Sequence, residues 1–151
     1  MKRSILLAAL LAACSCAPSG PPPPAPLDTA NEACRHCRMM ASDVRFAAQL
    51  VAPGEDPLFF DDVGCLRDFL KENPGKSKGF TAYVADHRTR AWILADHAIY
   101  TRAADLATPM NSHLIAHADA ASRAADSDAA AGTPLTASEV FGTLPAAEDR
   151  P

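Results

Sequence analysis

The chain has 151 residues, enough for one domain with a modest core, and carries a formal charge of −4. An acidic chain without a Lys/Arg cluster has no electrostatic footprint for nucleic acid.

Lys2 and Arg3 precede an apolar run, Ile5 to Ala13. The run is too short to span a bilayer as a stable helix, and the charged-then-apolar layout is that of a secretory signal. It ends Leu11-Ala12-Ala13-Cys14, which looks like a bacterial lipobox. Residues 1–13 are therefore expected to be a lipoprotein signal peptide, with Cys14 lipidated after cleavage. Cys16 fits less well, because Ala13 stands three residues before it where Cys14 has Leu11. Ordinary cleavage at small residues is the alternative. Losing Lys2 and Arg3 takes the formal charge from −4 to −6. The expected location is the bacterial cell envelope, with a lipid anchor to a membrane and the domain facing the periplasm. That compartment is oxidising, so free thiols there need a reason to stay free.

Residues 14–33 read as the lipidated cysteine and a Pro-rich linker. Proline runs favour an extended, semi-rigid spacer. The ordered domain is expected over residues 34–142. Arg45 to Val51 and Leu58-Phe59-Phe60 read as strands around the turn signal Pro53-Gly54-Glu55-Asp56. Asp61 or Asp62 supplies an N-cap. Val63, Leu66, Phe69 and Leu70 follow at helical spacing, giving a helix over 62–72 that stops at Asn73-Pro74-Gly75. Phe80 to Val84 is a third strand. Ala91 to Leu94, Ala98 to Tyr100, Ser112 to His117 and Thr133 to Thr136 read as further strands, and the Ala-rich stretch 119–128 as a second helix. Residues 143–151 read as a loose tail. Each half runs strand pair, Asp-initiated helix, strand, which hints at an internal duplication in an α+β domain.

Cys34-Arg35-His36-Cys37-Arg38-Met39-Met40 holds two thiols, two thioethers and an imidazole in seven consecutive residues. The Cys-x-x-Cys spacing suits a redox dithiol, a pair of metal ligands or a structural disulfide. A Pro-rich stretch precedes the pair rather than a strand, which weakens a thioredoxin-like use. No second such pair exists to complete a common zinc site. Thioether sulfur selects Cu(I) over Zn(II), so Met39 or Met40, and Met110 after the stiffening Pro109, point to copper. Cys65 reads as a buried thiol at the border of the helix's apolar face, and His87 and His97 as surface residues. His113 and His117 have even spacing, which places both on one face of a strand. No nucleophile–base set or phosphate loop is present.

The ordered set Cys34-x-x-Cys37-x-Met39, Phe60-Asp61-Asp62-Val63-Gly64-Cys65, Ala82-Tyr83-Val84-x-Asp86, Trp92-x-x-Ala95 and Thr108-Pro109-Met110 resembles the NosL family. The resemblance implies a fold of two similar ββαβ units. It also implies a Cu(I)-binding lipoprotein, not an enzyme, that serves as a copper chaperone for a client resembling nitrous oxide reductase. Cys34, Cys37 and Met39 match the family's Cys-x-x-Cys-Gly-Met segment, and Met110 its Thr-Pro-Met. Arg38 stands where the family usually has Gly, and a positive φ there is costly for Arg. His113 and His117 stand where Gly and an aromatic residue are usual. The expected copper ligands are thus Cys34, Cys37, Met39 and Met110, with His113 and His117 as imidazole additions. The alternatives are a thiol–disulfide oxidoreductase using Cys34 and Cys37, or a structural lipoprotein with a static Cys34–Cys37 disulfide.

Overall fold

Alternation along Ala48-Gln49-Leu50-Val51 sends Ala48 and Leu50 to one side of a strand and Gln49 and Val51 to the other. All four are buried, so both faces must be covered. The computed structural model describes residues 20–75, 78–142 and 144 and shows what covers them. Strand β1 (Ala48–Val51) lies inside an antiparallel sheet with β2 (Leu58–Phe60), β3 (Thr81–Ala85) and β4 (Trp92–Leu94), in the order β2-β1-β3-β4. Ala48 and Leu50 join the main core with Val63, Leu66 and Phe69 of helix α1 (Val63–Glu72). Each such apolar side chain stabilises by about 1.5–3 kcal/mol when fully buried.

The opposite face carries the Pro-rich segment. Gln49 and Tyr83 are cross-strand partners. The Tyr83 hydroxyl donates to the Pro22 carbonyl at 2.7 Å, and the Gln49 amide exchanges two hydrogen bonds with Ala25, at 2.8 and 3.1 Å. A polyproline conformation makes no hydrogen bonds of its own, so its carbonyls are open to these side chains. The stretch expected as a spacer is therefore, over these residues, part of the folded body. Cys14 and the apolar run before it lie outside the described residues, as does nearly all of the expected tail.

The second half repeats the first. Strands β5 (Ile99–Arg102), β6 (Leu114–His117) and β7 (Thr133–Leu135) form an antiparallel sheet in the order β6-β5-β7, matching β2-β1-β3, with helix α2 (Ala120–Ala124) between β6 and β7. The molecule is thus a small α+β fold with the same strand–strand–helix–strand order in each half, β4 being an addition to the first. Both helices start on an aspartate, Asp62 and Asp119.

Three local readings change. Residues Val44–Phe46 form a 3-10 turn capped by Asp43 rather than the start of β1. Helix α2 ends at Ala124 instead of continuing to 128. Asp126 there accepts the Asp128 N–H and starts a separate 3-10 turn, Ser127–Ala129, the familiar competition of an Asp side chain with helical hydrogen bonding. A short helix, α3 (Ala137–Phe141), follows β7 and buries Val140. Its start is a capping box between Thr136 and Glu139, a signal that was open to reading in the sequence.

Asp86 joins the halves. It is fully buried and accepts hydrogen bonds from the Arg88 and Thr89 N–H groups beside it and from the Ala118 N–H and Ser122 hydroxyl of the second unit. Burial alone would raise its pKa. The Ala118, Thr89 and Ser122 donors outweigh that and hold it at about 2. A carboxylate depressed in the fold contributes stability that is complete above its unfolded value of 3.8 and is lost as pH falls towards 2. The expected loss is about 2 kcal/mol, at 1.36 kcal/mol per pKa unit. Urea denaturation at pH 5 and pH 2.5 should show this dependence in the native chain, and Asp86→Asn should be less stable at pH 5 and lose less between the two pH values. Equal pH dependence in both would remove Asp86 as its source.

Candidate metal centre

Three elements bring the thiols together. The first is a tight turn. The Cys34 N–H donates to the Met39 carbonyl at 2.7 Å, the Arg38 N–H to the Cys34 carbonyl at 3.0 Å, and Ala33 bridges to Met40. The Arg35 N–H, bonded to the Phe59 carbonyl at 2.8 Å, fastens this turn to β2. Arg38 closes it with φ 70°, the left-handed conformation that costs a non-glycine residue about 1–2 kcal/mol. The turn geometry is thus retained without glycine. The second element is the end of β2, which delivers Asp61. The third is the first turn of α1, which carries Cys65.

One ligand atom from each of Cys34, Cys37, Asp61 and Cys65 lies within 4.8 Å of all the others. Cys34, Asp61 and Cys65 are buried and Cys37 is half-buried. All three thiols are free, so no Cys34–Cys37 disulfide is present. The Cys37 sulfur lies 3.3 and 3.4 Å from the two Asp61 oxygens and donates to them. The Cys65 thiol donates to Cys34 and holds the Cys34 thiol down at about 6. Donating that proton, together with burial, pushes Cys65 up. Burial likewise pushes Cys37 up to about 11, against the Met39 N–H that points at its sulfur. Cys34 is therefore the thiol that gives up its proton most readily, and Cys37 and Cys65 hold theirs more firmly until a cation displaces them.

The other expected ligands are placed unevenly. Met39 takes part in the cysteine turn through its backbone, its carbonyl accepting the Cys34 N–H. Met110 reaches the same helix start through its backbone, its N–H donating to Asp62 at 3.0 Å. Asp62 is fully buried and also accepts from the Gly64 N–H at 2.6 Å, the Thr108 hydroxyl at 2.7 Å and the Ser112 hydroxyl. Gly64 permits this contact, because a Cβ there would lie 2.4 Å from that of Ser112. Met39, Met40 and Met110 are 47%, 44% and 43% exposed and are the exposed large apolar side chains among the described residues.

The histidines go elsewhere. His113 precedes β6 with φ 58°, and its Nδ1 pairs with the Leu106 carbonyl at 2.8 Å. The even spacing to His117 does not put the two on one strand face, because β6 begins only at Leu114. His117 is fully buried in a separate cluster with His87 and Asp126. His87, expected at the surface, is 3% exposed. His36 lies outside the thiol cluster, with its Nδ1 3.6 Å from a Glu72 carboxylate oxygen. Sequence reasoning missed Asp61 and undervalued Cys65. The signal available was their spacing of four residues across a helix start, which turns a strand end and a first helical turn towards one point.

Soft sulfur donors beside one carboxylate suit a soft cation. No curated protein and no solved structure matches the chain significantly. A family model does match, over residues 24–143, a span that begins within the docked Pro-rich segment and runs past α3. With that match over most of its length, and a sulfur-rich cluster that could hold a metal, the chain belongs to the NosL family of copper-binding accessory proteins.

Proposed function

We propose that this protein is a membrane-anchored Cu(I) chaperone that delivers copper to a client resembling nitrous oxide reductase. The carrying observation is the group of three free thiols and one carboxylate within 4.8 Å, with one thiol already near its thiolate form. Cys34 is the primary ligand in this reading. A second thiol completes a low-coordinate sulfur site as Cu(I) displaces its proton. Met39 and Met110, half-exposed on segments tied to the site, offer neutral thioethers that hand the ion in or out without proton release. Lipidation at Cys14 places the domain on the periplasmic side of a membrane, near its client. The oxidoreductase alternative needs an attacking thiolate that a partner can reach, and Cys34 is fully buried.

Competition titration of the reduced protein with Cu(I) against a chromogenic chelator tests the proposal. One equivalent should bind tightly to the native chain. The Cys34→Ser/Cys37→Ser/Cys65→Ser chain should bind at least about 100-fold more weakly, since loss of even an outer partner typically costs about 10–100-fold. Equal affinity in the two chains would sink the reading.

A further inference from the structure

The buried cluster of His87, His117 and Asp126 belongs to no part of the thiol site. His87 directly follows the bridging Asp86, at the end of the first sheet's β3. His117 is the last residue of β6 in the second sheet. Asp126 caps the 3-10 turn after α2. The His87 N–H donates to the Ala116 carbonyl at 2.8 Å, so the two imidazoles are carried by backbones that are bonded to each other. The rings meet edge-on with centroids 6.4 Å apart, and Phe46 packs on His87 at 5.1 Å. One Asp126 oxygen serves both rings, 2.7 Å from His87 Nδ1 and 2.9 Å from His117 Nε2. The remaining ring nitrogens, His87 Nε2 and His117 Nδ1, are buried without a hydrogen-bond partner.

Such a cluster is poorly satisfied by protein alone. One carboxylate oxygen is shared by two ring nitrogens, so the three facing donor atoms converge on one point more closely than a single hydrogen bond requires. Two imidazoles and a carboxylate, fixed by three different elements and walled by a phenyl ring, are a borderline N2O donor set. We propose that His87, His117 and Asp126 form a second metal site, which takes a divalent borderline cation, Zn(II) or Cu(II), at the seam between the two sheets. One atom from each residue lies within 4.8 Å of the others. Metal–ligand bonds of about 2.0–2.2 Å put tetrahedral ligands about 3.3 Å apart. The 2.7 and 2.9 Å contacts to Asp126 therefore open by about half an ångström on loading. Ligation uses the unprotonated ring nitrogen, so each imidazole binds as the tautomer whose N–H is on the nitrogen facing away from Asp126. The site contains no sulfur, so it does not compete with the thiol cluster for Cu(I), and its ion crosslinks the two halves. The inference is independent of copper delivery and stands or falls separately.

The test uses the full-length Cys34→Ser/Cys37→Ser/Cys65→Ser chain, which has no thiol ligands in the folded domain. After equilibration with Zn(II) and desalting, it should retain one equivalent, and its melting temperature should rise with Zn(II). His117→Gln and Asp126→Asn in that background should lose the retained ion and the thermal shift, while circular dichroism shows the fold intact. With Cu(II) in place of Zn(II), the electron paramagnetic resonance signal should carry nitrogen hyperfine coupling that His117→Gln alters. If the thiol-free chain does not fold, the same substitutions in the native-thiol chain should each remove one equivalent of Zn(II). No retained Zn(II), or retention unchanged by both substitutions, would overturn the proposal.

Discussion

Cys34→Ser should lower Cu(I) affinity more than any other single substitution, by at least about 100-fold, or about 2.7 kcal/mol. Three effects combine at this position. The substitution removes the thiol whose pKa the Cys65 donor lowers against the opposing effect of burial. It leaves Cys65 with a hydroxyl to bond in place of a sulfur. It also keeps the backbone turn, since the Cys34 N–H and carbonyl make their bonds to Met39 and Arg38 regardless of side chain. The loss would then report ligation rather than folding. Cys65→Ser should cost less, because a serine hydroxyl still donates to Cys34. Chelator competition on both variants checks the order, and Cys34→Ser with native affinity would exclude Cys34 as the principal ligand.

Asp62→Ala is expected to be the most destabilising single change near the site, by about 3–5 kcal/mol. Removing one side of a buried, hydrogen-bonded charge cluster typically costs that much, and here four donors lose their acceptor. The Gly64 N–H loses its cap, which alone is worth about 0.5–2 kcal/mol. Thr108, Met110 and Ser112 lose the carboxylate that ties their loop to α1. For a chain of this size the melting temperature should fall by roughly 10 °C. Urea denaturation measures the loss, and a value under about 1 kcal/mol would show that the loop is held by other contacts. Asp62→Asn keeps one acceptor oxygen and should be milder. In Asp62→Asn, Cu(I) affinity should fall if Met110 contributes its thioether and stay native if it does not.

Much of the architecture was legible before the structure. The Asp62 cap, the Val63-Leu66-Phe69 spacing and the Asn73-Pro74-Gly75 stop delimit α1 to within a residue, because helix ends are decided by side chains within a turn of the end. The strands β2 and β3 were similarly clear from short apolar runs between turn residues. The repeat of order between the halves was visible as pattern and is confirmed by the matching strand orders of the two sheets. Where a short-range rule was overlooked, at the Thr136/Glu139 capping box, a helix was missed.

The site was legible only as an inventory. Cys34, Cys37 and Met39 are neighbours in the chain, so their proximity needed no fold. Asp61 and Cys65 are more than 20 residues away. Their place beside the thiols depends on the Arg35–Phe59 hydrogen bond that docks the turn on β2. Local periodicity carries no information about such a contact. His117 illustrates the converse: its spacing from His113 and Met110 suggested one site, but the strand boundary at Leu114 and the pairing with His87 and Asp126 assigned it to another.

The sequence by itself therefore determined which donors the protein owns, which segments carry them and where the main helix and most strands lie. All of these are set by residue type and by interactions within a few positions. Only the tertiary structure decided how the donors divide. It groups Cys34, Cys37, Asp61 and Cys65 into a sulfur-rich centre, and His87, His117 and Asp126 into a nitrogen- and oxygen-donor centre at the seam. It also turns a proline-rich segment from a spacer into a cover for β1 and β3. The physical reason is the same in each case. These are contacts between residues far apart in the chain, fixed by sheet register and by shared burial, and no pattern within one segment encodes its partner in another.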